Sequence, residues 1–494
     1  MLETVTSFPD TWMIVKLGEI SEKINPGFPS GKWKRDGDGG VPHLRPMNIT
    51  QHGDIDLENL KYAFRDGYDS LKKYDILFNN TNSPVLLGKT SYIKRDTDWA
   101  YSNHMTRIRF NNSLVHSPFF SYHLHYQFYN GYYRMNCRHH VNQASINSTF
   151  LRNMEVPLPP YNEQVRIISK IEELFSRLDQ GAKELLKTIQ IIEEYKQSMI
   201  KEAFTGKLTR KWRLNNPEET SRKLLSKINE YWREKNTPKP RKQVEVNYEN
   251  LPTIPSNWLW VSINDVSRKL QYGSSSKATL DTSGIPVLRM GNIQDGQLTF
   301  SDLKYYDENS SEIDDLILEE GDLLFNRTNS AELVGKTAVY YDHYPKAVFA
   351  SYLIRVKLLK DYIYPEIVSE YINSVLGKRY ISKVRSQQVG QANVNGTKLA
   401  AMPIPLIPKN EQLIIKDIFN TNKIRLSRIK KSLKQSLDQT TLTIQSVLKR
   451  AFTGGLVPQD PTDEPASVLL ERIKSEKSKL KPIQKRGRKR RSNN

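Results

Sequence analysis

The sequence predicts an α+β chain built from two copies of one unit. Each copy is a mixed strand and helix globule followed by a long helix, and the two helices are expected to pair as an antiparallel coiled coil with pseudo-two-fold symmetry. Three observations carry this. The chain repeats itself at separations of 244 to 248 positions; each copy opens with short apolar runs broken by Gly, Asn, Asp and Pro; each then runs for about 43 residues without proline. At 494 residues the chain is long enough for about two to four domains, each with its own core.

The repeat begins with Pro9-Asp10-Thr11-Trp12, which returns as Pro255-Ser256-Asn257-Trp258, and Val41-Pro42-His43-Leu44-Arg45 returns as Ile285-Pro286-Val287-Leu288-Arg289. The longest match sets Asp75-Ile76-Leu77-Phe78-Asn79-Asn80-Thr81-Asn82-Ser83 against Asp322-Leu323-Leu324-Phe325-Asn326-Arg327-Thr328-Asn329-Ser330. It continues into Leu87-Gly88-Lys89-Thr90 and Val334-Gly335-Lys336-Thr337. Further along, Gln143-Ala144-Ser145-Ile146-Asn147 pairs with Gln391-Ala392-Asn393-Val394-Asn395, and Ala203-Phe204-Thr205-Gly206 with Ala451-Phe452-Thr453-Gly454. The order never changes, which chance does not produce.

The boundaries follow. Residues 1–155 form the first globule, 156–208 the first long helix, and 209–254 a connector with a short amphipathic helix (Leu224, Leu225, Ile228, Tyr231, Trp232). Residues 255–403 form the second globule, 404–456 the second long helix, and 457–494 a basic tail expected to be disordered at its end. The stops are Val156-Pro157-Leu158-Pro159-Pro160 and the run from Pro403 to Pro408. In the first helix one heptad register holds Ile168, Ile171, Phe175, Leu178, Ala182, Leu185, Ile189, Ile192, Lys196, Met199 and Ala203, broken only by the lysine. The second runs Ile415, Phe419, Asn422, Leu426, Ile429, Leu433, Ser436, Thr440, Ile444, Val447, Ala451; its polar members disfavour self-association and point to pairing with the first. At 1.5 Å per residue such a helix spans about 65 Å, long enough to act as a ruler between two globules.

Lys and Arg exceed Asp and Glu by 20, and residues 471–494 hold eleven basic residues against two glutamates, so the body stays basic without them. That surplus favours a polyanionic partner. A single cysteine, Cys137, gives no internal disulfide; no run of 18 apolar residues occurs, and the N-terminus lacks a signal-peptide pattern. The expectation is a soluble cytoplasmic protein with no membrane partner.

Motifs that suggest catalysis lack essential members. Gly88-Lys89-Thr90 and Gly335-Lys336-Thr337 look like the end of a phosphate-binding loop, but the required earlier glycine is Ser83 in one copy and Ser330 in the other. They are expected to be turns leading into strands. Leu158-Pro159-Pro160-Tyr161 resembles the Asn-Pro-Pro-Tyr of amino-methyltransferases, but Leu158 stands where the amine-holding Asn belongs. His139-His140 and the pair His123 and His125 have no histidine cluster to match in the second copy, so core or solvated histidines are expected and no metal site is assigned. No catalytic residue is assigned, and no cofactor on this chain.

The matched loops carry amides and cations instead. Asn contacts adenine and Arg guanine through paired hydrogen bonds, while Lys neutralises phosphate. The DNA-contact candidates are Arg45, Asn79, Asn80, Asn82, Lys89, His104 and Arg107 in the first copy, and Arg289, Asn326, Arg327, Asn329, Lys336, Tyr352 and Arg355 in the second. Asn326 and Arg327, with Asn79 and Asn80, are the foremost candidates for base contact. The copies differ at Asn80 against Arg327 and His104 against Tyr352, and residues 111–140 and 358–388 scarcely match. One scaffold with two different surfaces would read two different sequences.

With Pro157-Leu158-Pro159-Pro160-Tyr161-Asn162-Glu163-Gln164 and Ala203-Phe204-Thr205-Gly206-Lys207-Leu208, each echoed in the second copy, residues 9–465 resemble the specificity subunit of a type I restriction-modification system. The resemblance implies two target-recognition domains reading a bipartite, asymmetric site in double-stranded DNA, separated by an antiparallel coiled coil. It also implies that catalysis lies in partner subunits: modification (methyltransferase) subunits using S-adenosylmethionine, and restriction subunits using ATP and Mg. The twice-repeated turns, Asn162, Glu163, Gln164 and Phe204 with Asn410, Glu411, Gln412 and Phe452, are the candidates for docking two modification subunits. The alternatives are a self-sufficient methyltransferase or nuclease, which lacks its motifs here, and a structural coiled-coil adaptor, which leaves the basic globules unexplained. The tail, Lys485-Arg486-Gly487-Arg488-Lys489-Arg490-Arg491, suits nonspecific phosphate contact.

Overall fold

The computed structural model describes residues 8–29, 39–64, 67–141, 143–235, 244–307, 313–388 and 390–479. The chain divides into two units, residues 1–185 with 434–494 and residues 186–433.

In the first unit a four-stranded antiparallel sheet has the order Lys23–Pro26, Met105–Arg109, Ile76–Asn79, Thr90–Tyr92. Its central strand is buried along its whole length because it divides two cores: Ile76 and Phe78 enter one, Leu77 the other. Successive side chains in a strand alternate between faces, so a strand covered on both faces reads as an unbroken apolar run. A three-stranded sheet (Lys61–Ala63, Val41–Leu44, Ala100–Tyr101) lies on the second core, and the helix Ser117–Tyr129 supplies Phe119, Phe120 and Leu124 to the first. A third sheet joins the hairpin Arg138–His140 and Gln143–Ser145 to the short strand Thr81–Asn82.

The second unit repeats this plan. Its four-stranded sheet has the order Ser267–Tyr272, Leu353–Leu358, Leu323–Asn326, Thr337–Val339, again with the central strand between two cores. Lys304–Tyr306, Ile285–Leu288 and Val348–Phe349 form the second sheet; Thr328–Asn329, Gln391–Asn393 and Ser386–Gln388 form the hairpin sheet. The stretches that scarcely match in sequence match in structure. Residues 111–140 and 358–388 both fold into two core-packed helices and the first hairpin strand, because burial constrains apolarity more than identity.

The long helices are Tyr161–Phe204 and Lys409–Phe452, 44 residues each. In the first unit Ile167, Ile168 and Ile171, from the start of one helix, share a core with Leu448, Ala451 and Phe452, from the end of the other. In the second unit Met199, Ala203 and Phe204 share a core with Ile415 and Phe419. Within each unit the helical segments therefore run antiparallel. Every expected seam position of the first helix from Ile168 to Ala203 is buried or half-buried. The second helix corrects its register: Ile429 and Ser436 are exposed, while Lys430 and Leu437 take the seam, and Lys430 Nζ donates to Glu193 Oε1 at 2.6 Å. Steps of four from Leu426 to Lys430 and from Leu433 to Leu437 follow the 3.6-residue period where the heptad falls behind.

The connector helix is Ser221–Glu234, with Leu224 and Ile228 buried. Part of the expected tail is also a packed helix, Ala466–Lys479, burying Ala466, Leu469, Leu470 and Ile473 in the first unit. Leu469 and Ile473 lie 245 positions after Leu224 and Ile228, so this helix belongs to the repeat. The segment Thr237 to Arg241 and the basic run from Lys485 to Arg491 lie outside the described residues. Among the described residues no helix is long and apolar enough to cross a membrane.

Candidate nucleic-acid interface

The matched loops build the same crossing in each unit. The central strand ends at Asn79, whose N–H donates to Lys89 O (2.9 Å) while Gly88 N–H donates to Asn79 O (3.0 Å). The chain then passes to the hairpin sheet: Asn80 N–H donates to His104 O and Ile146 N–H to Asn80 O. In the second unit Asn326, Lys336, Gly335, Arg327, Tyr352 and Val394 make the same four bonds. Gly88 and Gly335 sit at φ +90°, against Tyr133 and Ile381. Each Gly-Lys-Thr is thus a left-handed turn into the strand that its threonine opens.

Burial removes several contact candidates, and these correct the expectation. Asn79 and Asn326 are fully buried, and Asn79 Nδ2 donates to Leu86 O at 3.1 Å. Lys89 is 5% exposed with its ammonium on Ile49 O, and burial lowers its pKa. Arg107 and Arg355 are charges spent inside the sheet. Arg107 donates to Asp69 (2.6 Å), and Arg355 to Asp322 (3.3 Å), Ile317 O (2.7 Å) and Asp315 O (2.6 Å). A guanidinium so enclosed and paired does not reach a base or phosphate outside the sheet. Asn80 turns inward, donating to Thr106 Oγ1 (2.9 Å) and Asn103 O (3.1 Å). Arg327 is half-buried: its guanidinium lies over the Tyr272 ring at 4.9 Å and donates to Ser351 O and Asn393 Oδ1 at 3.4 Å each, which makes it a support for the hairpin.

Others reach solvent. In the second unit an open cavity of about 800 Å³ brings together Arg289, Asn329, Lys336 and Tyr352, and adds Lys277 and Lys304. Its lining therefore holds four cations and no carboxylate. Arg289 donates to Asp302 O at 2.5 Å and Asn329 Oδ1 accepts from Ser330 N–H at 2.8 Å; Tyr352 is 45% exposed. A concave surface with that lining attracts and holds a polyanion. In the first unit Arg45 donates to Asn59 O at 2.6 Å, Asn82 is half-buried and His104 is exposed. Lys277 and Lys304 escape a motif search: Lys304-Tyr305 matches Lys61-Tyr62, a pair too short to stand out.

The docking candidates are also mostly internal. Glu163 accepts from Trp12 Nε1 (3.0 Å) and Gln459 Nε2 (2.5 Å), and burial raises its pKa. Glu411 accepts from Trp258 Nε1 (2.7 Å), Thr209 Oγ1 (2.6 Å) and Arg213 Nη1 (2.5 Å). Gln164 and Gln412 are buried, each bridging a carbonyl before the helix to a backbone N–H, of His116 and Tyr364 respectively. Phe452 stacks edge-on with Phe119, and Phe204 with Tyr371. These six residues fasten helix ends to globules, and their burial leaves no surface for another subunit, which corrects their assignment as docking contacts. Asn162 and Asn410 alone of the eight are exposed, Asn410 donating to Glu219 at 2.8 Å. His123 and His125 are core residues, with pKa values lowered by burial to about 3 and about 4. Among the described residues no group of three or more His, Cys, Asp or Glu could hold a metal.

The two units share one plan, and in the second a cationic recess lies beside the crossing. The family model described as the type I restriction modification DNA specificity domain matches twice, at residues 9–190 and 255–439. The chain is 24% identical over 453 residues to the type I restriction enzyme EcoKI specificity subunit of Escherichia coli (strain K12), covering 89% of each. It is 31% identical over 166 residues to the StySPI specificity subunit of Salmonella potsdam, covering 32% of this chain and 36% of that one. Its fold is similar to the HsdS subunit from Thermoanaerobacter tengcongensis (TM-score 0.54, 17% identity, 92% of this chain and 100% of that one). A chain from a study of complex assembly and conformational transition of the type I R-M system is similar at TM-score 0.64 (16% identity, 91% and 100%). With most of its length in two matched copies, the chain belongs to the type I restriction modification DNA specificity domain family.

Proposed function

We propose that this chain is the DNA sequence-recognition subunit of a type I restriction-modification complex, each unit reading one half of a bipartite, asymmetric duplex site. The observation that carries the reading is the recess whose lining holds Lys277, Arg289, Lys304 and Lys336 and no carboxylate, beside Asn329 and Tyr352. Cations of this kind hold the phosphate backbone, and polar side chains at the rim discriminate base edges. The chain itself performs no catalysis in this reading. Methyl transfer from S-adenosylmethionine and ATP- and Mg-dependent cleavage belong to partner modification and restriction subunits, and the complex works in the cytoplasm. Two modification subunits per chain follow from two equivalent helix entries, where Asn162 and Asn410 remain exposed.

The test is exchange of residues 255–403 for the matching region of a relative, followed by mapping of methylated sites in cells carrying the complete system. One half-site should change and the other persist; change in both halves, or in neither, rejects the division of labour. Methyl transfer by the purified chain alone would favour a self-sufficient enzyme. Loss of all salt-dependent, sequence-selective duplex binding would favour a structural adaptor.

A further inference from the structure

We propose that the hairpins 138–145 and 386–393 are the base-reading elements, each laid as a two-stranded ribbon in the major groove of its half-site. The proposal rests on the DNA-recognition reading above and names the atoms that would read. A major groove about 12 Å wide admits either a helix or a two-stranded ribbon. The two-stranded element paired directly to each crossing is the ribbon, through Thr81–Asn82 and Thr328–Asn329.

Each ribbon is fixed at its foot to the short strand after the crossing. Ala144 and Ala392 are fully buried and pair in register with Asn82 and Asn329. In the second unit the foot is braced further: Asn393 Nδ2 donates to Thr328 Oγ1 at 2.8 Å, and Arg327 donates to Asn393 Oδ1. On the ribbons, Arg138 and His139, opposite Ser145 and Ala144, and Gln143 are exposed in one, and Ser386 and Gln387, opposite Asn393 and Ala392, and Gln391 in the other. Val141, at the turn, is 92% exposed. Neither stretch contains a carboxylate, which phosphate would repel. The inventory suits base edges: amides for adenine, Arg for guanine, an aliphatic group for the thymine methyl.

The pattern of identity and difference supports the same assignment. Between the copies the foot alanine, Gln143 with Gln391 and Val141 with Val389 are the same, whereas Arg138, His139 and His140 are replaced by Ser386, Gln387 and Gln388. A common mount with changed side chains is how one scaffold would read two sequences. Asn329 belongs both to the hairpin sheet and to the cationic recess, so phosphate-holding and base-reading groups adjoin.

The experiment compares the full chain, assembled with its partner subunits, as wild type, as Arg138→Ala/Gln143→Ala and as Gln387→Ala/Gln391→Ala. Bound sequences are selected from randomised duplexes, and affinity for the wild-type site is measured across salt concentrations. All four side chains are exposed, so the variants should match the wild type in thermal unfolding. Each variant should relax positions in one half-site only, with affinity for the wild-type site falling about tenfold to a hundredfold. The glutamine variant should keep the wild-type salt slope, because no charge is lost. Variants that select the wild-type sequence with unchanged affinity overturn the ribbon assignment while leaving the chain a DNA reader. A wild-type complex that selects no sequence overturns the underlying reading instead.

Discussion

Trp258 donates its indole N–H to Glu411 across 2.7 Å, and 246 residues earlier Trp12 does the same to Glu163 across 3.0 Å. The partners of the two glutamates then diverge. Glu411 also holds Arg213, a charge 13% exposed, whereas Glu163 holds the neutral Gln459. Removing one member of a buried ion pair leaves the other uncompensated, at a cost of about 3–5 kcal/mol; losing a hydrogen bond to a neutral partner costs about 1–3 kcal/mol. Glu411→Ala should therefore destabilise the chain more than Glu163→Ala in urea unfolding. Equal midpoints would show that Arg213 contributes nothing through this carboxylate.

Gly88→Ala should be more damaging than Gly335→Ala. Both positions have φ +90°, but a Cβ at 88 meets the Tyr133 ring at 2.1 Å and one at 335 meets the Cδ1 of Ile381 at 2.4 Å. A fully buried ring packed edge-on against Phe78 cannot rotate away, whereas an isoleucine terminus can. The expected losses are about 3 kcal/mol or more for Gly88→Ala and about 1–2 kcal/mol for Gly335→Ala. Comparable thermal midpoints for the two would contradict this.

Legibility in the sequence followed periodicity and failed at partners. The first helix seam was readable because every step from Ile168 to Ala203 obeys one period, and the repeat because the buried crossing tolerates little change. That same logic misleads at the site. Asn79, Asn326, Arg107 and Arg355 resemble base-contact residues in type, yet all four are enclosed: the arginines pair with aspartates inside their sheets and the asparagines end the buried central strands. The helix Ala466–Lys479 was obscured by the basic run after it, although Leu469 and Ile473 repeat Leu224 and Ile228. The cationic recess assembles Lys277, Arg289, Lys304 and Lys336 from four separate segments, a juxtaposition that pairwise matching cannot show.

Acid should weaken the first unit through His125. Its Nδ1 accepts from Thr90 N–H at 3.1 Å and its Nε2 lies 3.1 Å from Gln51 O, an arrangement that suits the neutral ring, and burial holds its pKa at about 4. The unfolded chain takes up this proton as pH falls below about 6.5, while the folded chain does not until about 4. Stability is thus lost as pH falls through that window, by up to roughly 3 kcal/mol. In the second unit Asn373 Oδ1 accepts the equivalent Thr337 N–H at 3.0 Å and cannot titrate. His125→Asn should accordingly shrink the drop in urea midpoint between about pH 7 and pH 5, a result that an identical drop in wild type and variant would refute.

The cations of the recess and the buried arginines should separate cleanly in a salt titration. Lys277, Lys304 and Lys336 line open space, so each alanine substitution should weaken duplex binding to all sequences alike and reduce the log–log salt slope by about 0.9 for each phosphate no longer neutralised. Arg355 is 2% exposed and bound to Asp322, so Arg355→Met should alter unfolding while leaving the salt slope of the folded complex unchanged. The contrast isolates location from charge, since each change removes one positive charge from the chain. Measured by duplex affinity at several salt concentrations, equal slopes for Lys336→Ala and wild type would remove the recess from the DNA path. A reduced slope for Arg355→Met would mean that the sheet opens on binding and frees a guanidinium now enclosed.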